Sequence, residues 1–404
     1  MIGPKLAERT GHVPRGLART GPVLFSYGFR RFFLGAALWA VFAMALWIAA
    51  LAGRIDLAGT YGAHAWHAHE MLFGFASAVL AGFLLTAVPN WTGRLPVSGW
   101  PLAGLFALWL AGRTALVWPD AIGLPAAVAI DSLFLPALLF ICAREVIAGR
   151  KWKDLKVLGA LLALSLANAC FHVAVIESDY ALHRAMRLGI SAYVALVTIV
   201  GGRILPSFTR NWLNRLGRTD FPVPYNRFDT VAILTGIAAL ALWTLVPDHA
   251  ATAGIGFVAA TLHGVRLARW NGWATWPEML LVVLHVAYAF VPLGFAAIAL
   301  AAAGLVEEHS AMHVLTVGAI ASMMLAVMTR ASRGHTGRPL TASRPTVASY
   351  AAIVLAGLLR PLAETFPEIA STLYAASGGL WIAAFGLFCI EYGPMLLHKR
   401  RALH

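Results

Sequence analysis

Long apolar runs dominate the chain, and each is bounded by proline, glycine or charged residues. Twelve runs are long enough for a helix to cross a hydrocarbon core of about 30 Å. They cover residues 32–51, 66–88, 101–118, 122–142, 155–176, 183–205, 230–247, 251–268, 278–303, 309–329, 347–362 and 371–392. The runs are continuously apolar and lack the alternation of outer-membrane strands, so each is predicted to be a helix.

Composition supports the same interpretation. Hydrophobic residues make up 60% of the 404 residues and charged residues 12%, whereas soluble domains carry about 25% charged residues. We therefore predict an all-α polytopic membrane protein with about twelve transmembrane helices. Residues 1–31 are predicted to be a cytoplasmic N-terminal tail, 32–398 the twelve-helix transmembrane domain and 399–404 a short basic C-terminal tail. The three cysteines lie within apolar runs, which excludes a disulfide framework and a cysteine-based zinc finger.

The net charge of +13 is distributed unevenly along the chain. If both termini are cytoplasmic, all but five of the 31 Lys and Arg residues lie on the cytoplasmic side. The five exceptions are Arg54, Arg113, Arg184, Arg187 and Arg360. Cytoplasmic segments of membrane proteins carry such an excess. The positive charge is thus a topology signal that points to a lipid bilayer, and we predict no nucleic-acid partner.

The chain contains 14 histidines, nearly as many as its 18 acidic residues. On the predicted topology most of them fall into two layers. The outer layer contains His64, His67, His69, His172, His183, His309 and His313, and the inner layer contains His263, His285 and His335. One membrane histidine alone is often a hydrogen-bond donor between helices. Several imidazoles at one depth indicate a site for iron, copper or zinc.

Spacing divides the outer histidines into pairs. His67 and His69 are two residues apart, so on a regular helix they point to nearly opposite sides and would serve two centres. Glu70 follows His67 by three residues, and we expect it on the same face, where it orients that imidazole or relays protons. His309 and His313 are four apart and share a face, as two ligands of one metal must.

Two other polar residues interrupt apolar runs. Asp131 lies in the fourth run, and Asn168 lies in the fifth, one turn before His172. Asn168 is therefore expected on the face of His172, where its amide would fix the tautomer of that imidazole.

The inner layer allows two interpretations. His263, His285 and His335 either hold a second metal centre or form a polar, hydrogen-bonded cluster with Arg203 and Arg330. His285 and Arg330 are accordingly candidates for cofactor binding, and His263 and His335 for metal binding.

Spans two, six and ten share similar polar ends. Span two ends with Pro89 and Thr92, span six with Pro206 and Thr209, and span ten with Thr329. Each of these spans also begins near histidine at the outer face. Their spacing of four spans is compatible with three four-helix units in a pseudo-threefold arrangement.

Several long segments resemble the NnrS family. They are residues 66–75 and 86–94, residues 201–211, and residues 313–340, with 29–34 also similar except for Arg31, where proline is expected. The likeness extends over about residues 28–400. It implies a haem- and copper-containing inner-membrane protein associated with denitrification and with defence against nitric oxide. The four-span spacing is also similar to the haem–copper oxidases, although the two-apart histidine pair here lies on span two instead of span ten.

The leading hypothesis is a multi-pass protein of the bacterial inner membrane that binds or reduces nitric oxide at haem and copper near the outer face. His67, His69, His172 and His313 are the predicted ligands, with His183 and His309 in reserve. For a reductase, electrons would come from a quinol or small donor, and Glu70 would carry protons. The alternative is a twelve-span transporter or exporter with a histidine-lined pathway.

Overall fold

The computed structural model describes residues 23–177 and 181–399. The fold is 83% helix, and no strand occurs in these residues. Twelve helices in this described part of the chain are long and apolar enough to cross a membrane, which confirms the predicted fold class. They are α1 (Gly28–Leu51), α2 (Ala63–Thr92), α3 (Trp100–Val117), α4 (Leu124–Ala148), α5 (Trp152–Glu177), α6 (Ala181–Arg215), α7 (Arg227–Leu245), α8 (Ala250–Ala268), α9 (Met279–Ala302), α10 (Glu308–His335), α11 (Arg344–Thr365) and α12 (Pro367–Leu397).

The first and last helices meet at one end of the molecule. Arg30 donates hydrogen bonds of 2.8 Å to the carbonyl oxygens of Leu396 and His398. Helix α1 begins at Gly28, four residues before the predicted run. Arg30 therefore belongs to this helix, and its contacts with the end of α12 place it inside the fold. Of the two predicted tails, residues 1–22 and 400–404 lie outside the described part of the chain. The cytoplasmic position of both termini stays a prediction, and we call the opposite end of the bundle the outer end.

Helix α6 is longer than predicted. The predicted run ended at residue 205, but α6 continues through Pro206 to Arg215. A membrane helix tolerates an internal proline when a local π adjustment satisfies the freed backbone groups, and a π-helical turn at Val197–Gly201 precedes this proline. In the remaining loop, hydrogen bonds from Arg218 and then Asn271 lower the pKa of Asp220 to about 2. The bonds from Asn271 connect this loop to the segment that follows α8.

Within residues 23–177 and 181–399, three helices contain π-helical turns, and they are the three spans with similar ends. The turns are Glu70–Phe75 in α2, Val197–Gly201 in α6 and Val314–Ala321 in α10. All three helices are largely buried, and they line the same internal cavities. They therefore form the inner wall of the bundle. The pseudo-threefold arrangement itself stays a prediction.

Candidate functional site

A buried polar cluster lies near the outer end of the bundle, centred on Asp131 of α4. The Oδ2 atom of Asp131 is 3.1 Å from Nε2 of His69 on α2 and 2.9 Å from Nε2 of His172 on α5. The exposed fractions of the three residues are 0% for His69 and 3% for Asp131 and His172. One potential ligand atom from each lies within 4.8 Å of the others, the only such set of three among the described His, Cys, Asp and Glu residues.

The second nitrogen of each imidazole is also engaged. Nδ1 of His69 lies 3.1 Å from Glu70 Oε1, and Nδ1 of His172 lies 3.0 Å from the Tyr61 hydroxyl. Metal-binding histidines characteristically use the other ring nitrogen in this way, which orients the ring and fixes its tautomer. In both rings Nε2 thus faces the same carboxylate oxygen, while a hydrogen-bond partner at Nδ1 fixes the orientation of the ring.

Arg113 of α3 pairs with both carboxylates of the cluster. Its guanidinium forms ion pairs with Asp131 and, at 3.1 Å, with Glu70, and the residue is 1% exposed. Trp39 of α1 donates a hydrogen bond of 2.7 Å to Oε2 of Glu70, the same oxygen that pairs with Arg113. Glu70, Asp131 and Arg113 together supply two carboxylates and one guanidinium, a formal excess of one negative charge.

Space for the ion pair comes from a glycine on α2. A Cβ atom at Gly74 would meet the Glu70 carboxylate and the Arg113 guanidinium. The backbone carbonyl of Gly74 accepts a hydrogen bond of 2.9 Å from Trp109 of α3. The π-helical turn that begins at Glu70 thus contains the Glu70 carboxylate, and it also contains Gly74, which has no side chain and whose carbonyl is hydrogen-bonded. This combination lets α3 bring Arg113 against α2.

A cavity of about 380 Å³ lies on the other side of α2. Its walls come from α1, α2, α6, α10, α11 and α12. Five histidines line it, namely His64, His67, His183, His309 and His313. His183 and His309 are exposed and their ring centroids are 5.7 Å apart. Arg360 of α11, paired with Glu364 at 3.0 Å, adds a cation to the lining.

Two histidines of the cavity have defined ring environments. Nδ1 of His313 lies 2.7 Å from the backbone carbonyl of His309. A carbonyl oxygen only accepts, so Nδ1 of His313 carries the proton and Nε2 keeps its lone pair. The ring of His67 stacks on Trp47 with centroids 4.4 Å apart, and its buried Nδ1 has no hydrogen-bond partner among the described residues.

A sequence model of the NnrS protein family matches residues 23–400. The chain belongs to the NnrS family. A comparison with curated proteins finds no match. The family match covers every residue of the polar cluster and of the cavity lining.

In this NnrS-family chain the neighbouring histidines of α2 are separated as expected, with His67 in the cavity and His69 in the polar cluster. Glu70 is not placed as expected, because its carboxylate contacts His69 and Arg113. Arg113 and Trp39 bind the Glu70 carboxylate and hold it at the polar cluster. Asn168 was expected beside His172. Its Oδ1 lies 2.8 Å from Nε2 of His69, and its Nδ2 donates to Asp131 at 3.0 Å.

The inner histidines of the NnrS-family chain do not converge. Nδ1 of His263 lies 2.8 Å from the Tyr288 hydroxyl, and Nε2 of His285 lies 2.9 Å from Oγ1 of Thr209. His335 is exposed, with its ring 5.2 Å from that of Phe29. The described residues offer no three-ligand set at this end, so an inner metal centre stays a prediction.

The two inner arginines proposed as partners of these histidines lie elsewhere. The Arg330 guanidinium lies over the Phe208 ring, 4.1 Å from its centroid. Arg203 is 4.0 Å from Asp154. The buried cation beside His263 is instead Arg266, which donates to Tyr288 at 2.9 Å and pairs with Asp229 at 3.0 Å. The polar cluster at the inner end therefore forms around Arg266.

Sequence reasoning missed three members of the outer cluster. Asp131 was noted as a polar residue in an apolar run but was not proposed as a ligand. Arg113 was counted only as a charge near the outer surface, and Tyr61 was not considered. The available signal was that ionisable residues inside membrane spans usually face one another. That rule would have paired Arg113 with Asp131.

Proposed function

We propose that this NnrS-family protein binds haem and copper near the outer face of a bacterial inner membrane, where it binds or reduces nitric oxide. The observation that carries the proposal is that α2 contributes one histidine to each of two separate sites. His67 faces a histidine-lined cavity, and His69 belongs to a buried His–Asp–His cluster. The family resemblance implies two different cofactors, and the chain offers two adjacent places for them.

The polar cluster fits a copper ion. Its donors would be Nε2 of His69, Nε2 of His172 and Oδ2 of Asp131, and copper binds imidazole and carboxylate donors. A bound cation would also balance the net negative charge left by Glu70, Asp131 and Arg113. Buried charge without a partner is costly in a low-dielectric interior. Iron(II) and zinc suit the same donors, so metal analysis is part of the test.

The cavity fits a haem. Its volume of about 380 Å³ lies within the usual range of cofactor pockets, about 300–1,000 Å³. Haem iron accepts imidazole nitrogen, and the tautomer of His313 leaves Nε2 available for it. His67 is the second candidate ligand, while His183 and His309 lie at the exposed rim. Arg360 would hold a propionate if its bond to Glu364 opened.

The residues around the two sites would position and protonate the reactants. A haem in the cavity would supply an iron that binds nitric oxide, and copper would supply a second redox centre. Glu70 contacts His69 and lies three residues beyond His67, the candidate ligand at the other site. It is therefore the proposed proton carrier if turnover occurs. A quinol or small protein would then have to donate electrons.

The proposal is tested by purifying the full chain and measuring haem, copper and the visible spectrum with and without nitric oxide. We expect a Soret band that shifts when nitric oxide is added. The absence of a Soret band, or one that nitric oxide leaves unchanged, would contradict the proposal. Consumption of nitric oxide with a reduced quinol decides between turnover and binding.

Single substitutions separate the two sites. His313→Ala is expected to remove haem and leave copper bound, whereas His172→Ala is expected to remove copper and leave haem. His398→Ala, at the opposite end of the molecule, is the matched control and should retain both. If His313→Ala and His172→Ala removed the same cofactor, the proposed assignment would be wrong.

A twelve-span transporter with a histidine-lined pathway is the alternative, and the cavity is compatible with it. Transporter sites are typically built from helices unwound near the bilayer midplane. In α2 and α10 the π-helical turns instead join helical segments directly. Substrate uptake by proteoliposomes containing cofactor-free protein would favour transport over the haem and copper proposal.

A further inference from the structure

A second, smaller cavity lies directly below the histidine-lined one, on the same three helices. Ala76 of α2 lines the upper cavity and Val79 the lower one. On α6 the corresponding pair is Ile190 and Tyr193, and on α10 it is Ala321 and Met324. Each pair is three residues apart, roughly one helical turn. About one turn of apolar side chains therefore separates the two cavities.

The lower cavity is apolar and has a volume of about 90 Å³. The one polar side chain in its lining belongs to Tyr193, whose hydroxyl donates a hydrogen bond of 2.9 Å to the carbonyl of Leu72. The nearby carbonyl of Thr198, in the π-helical turn of α6, accepts a bond of 2.8 Å from Arg266. A buried water needs two to four polar partners. Because these groups are already hydrogen-bonded, a water molecule in the cavity would lack the polar partners that it needs.

Size and lining together define the class of ligand. Apolar cavities of about 150 Å³ stay dry and bind benzene or xenon, so a space of this kind accepts a small uncharged molecule. It is too small for a haem, and its lining offers no imidazole, carboxylate or thiolate that would hold a metal. Arg266, a buried cation of α8, pairs with Asp229 and does not line the cavity, so the lining offers no charge to an anion.

We propose that the lower cavity is a binding site for an uncharged diatomic gas, and that it supplies this gas to the upper cavity from the hydrocarbon side. The choice of nitric oxide as the gas rests on the proposed function, whereas the capacity to bind a small apolar molecule does not. An apolar gas concentrates in the bilayer core. A cavity at that depth, about three helical turns below His67 and His313 along α2 and α10, would deliver it without crossing the charged cluster around Asp131.

Xenon is the probe for the site because it needs no cofactor. Crystals of the full chain under xenon pressure should show an anomalous peak between α2, α6 and α10. Val200→Phe fills the cavity from a half-buried position and should abolish the peak. Leu80→Ala enlarges the cavity and should retain it. Leu234→Phe, on the exposed face of α7, is the matched control.

Delivery is tested on the haem-loaded protein by flash photolysis of bound nitric oxide. Val200→Phe should slow bimolecular rebinding several-fold, with an unchanged spectrum, and the Leu234→Phe control should not. No xenon peak in the original chain, a peak insensitive to Val200→Phe, or a lipid acyl chain filling the space would overturn the gas site. Unchanged rebinding would overturn delivery. A chain without haem would contradict the proposed function, yet the xenon result would still decide the gas site.

Discussion

At the scale of single residues, the outer cluster depends on groups that hold the candidate ligands. Glu70 contacts Nδ1 of His69, and Tyr61 contacts Nδ1 of His172. Neither is a proposed ligand, yet each fixes how an imidazole presents Nε2 to Asp131. Groups in this position typically change metal affinity by about 10–100-fold when they are replaced.

Glu70→Gln is therefore expected to weaken copper binding by about 10–100-fold, because the amide is a poorer acceptor for His69 and removes a negative charge. Titration against a copper chelator of known affinity measures the change. Glu307→Gln, an exposed carboxylate at the same end, is the control. An affinity equal to that of the control would show that Glu70 does not orient a metal ligand.

Arg113→Met is expected to destabilise the protein by about 3–5 kcal/mol, because it leaves two buried carboxylates without a cation. Arg113→Lys retains the charge and should cost less. Thermal unfolding in detergent compares them, with Arg54→Met as an exposed control. Equal stability of Arg113→Met and Arg54→Met would mean that the buried carboxylates are protonated and need no partner.

At the scale of elements, close contact between α10 and α11 depends on two glycines. A Cβ atom at Gly357 would lie 2.9 Å from the Cα atom of Gly318. Gly318 lies in the π-helical turn of α10, and Ala356 beside Gly357 lines the upper cavity. The backbones therefore touch at a level where the cavity wall is formed.

Gly357→Val should separate α10 from α11, lower stability by about 1–3 kcal/mol and reduce haem retention. Gly254→Val on α8 meets open space and serves as the control for adding the same side chain to a helix. Melting temperature and haem content per chain are the measurements. Normal haem retention in a destabilised Gly357→Val protein would contradict the prediction, because this helix contact would then stabilise the fold without affecting haem binding.

The helices themselves were predictable because a span must be apolar for about twenty residues. All twelve runs became helices. Their ends were not predictable from hydropathy, since α6 continues through Pro206 as a polar helix to Arg215. The π-helical turns were not predicted either. Glu70 departs from the face expected for it because Arg113 and Trp39 bind its carboxylate.

At the scale of the whole molecule, the sequence predicted the membrane layer of each histidine and the helix face on which it lies, but not the residues that it contacts. It assigned His69 and His172 to the outer layer and separated His67 from His69. It could not select Asp131 as the residue between them, since packing of α2, α4 and α5 decides that contact. For the inner layer, depth alone suggested a shared centre, whereas His263 and His285 bond to different neighbours.

The orientation of the bundle yields a prediction of its own. A cysteine at Asp220, in the loop after α6, should be protected from a membrane-impermeant maleimide in intact cells. A cysteine at Asp248, between α7 and α8, should react. Both sites are exposed, and the background should lack the three native cysteines. The reverse pattern would invert the topology predicted from the arginine and lysine distribution.

The ion pairs around Arg113 also constrain how the chain enters the bilayer during synthesis. Glu70, Arg113 and Asp131 lie on the consecutive helices α2, α3 and α4. Inserting Arg or Asp alone at the centre of a helix costs about 2.5–3.5 kcal/mol, and this cost is relieved only when the opposite charge arrives on a neighbouring helix. Integration of α2, α3 and α4 should therefore be more favourable together than one at a time, so these three are expected to leave the translocon together as one unit.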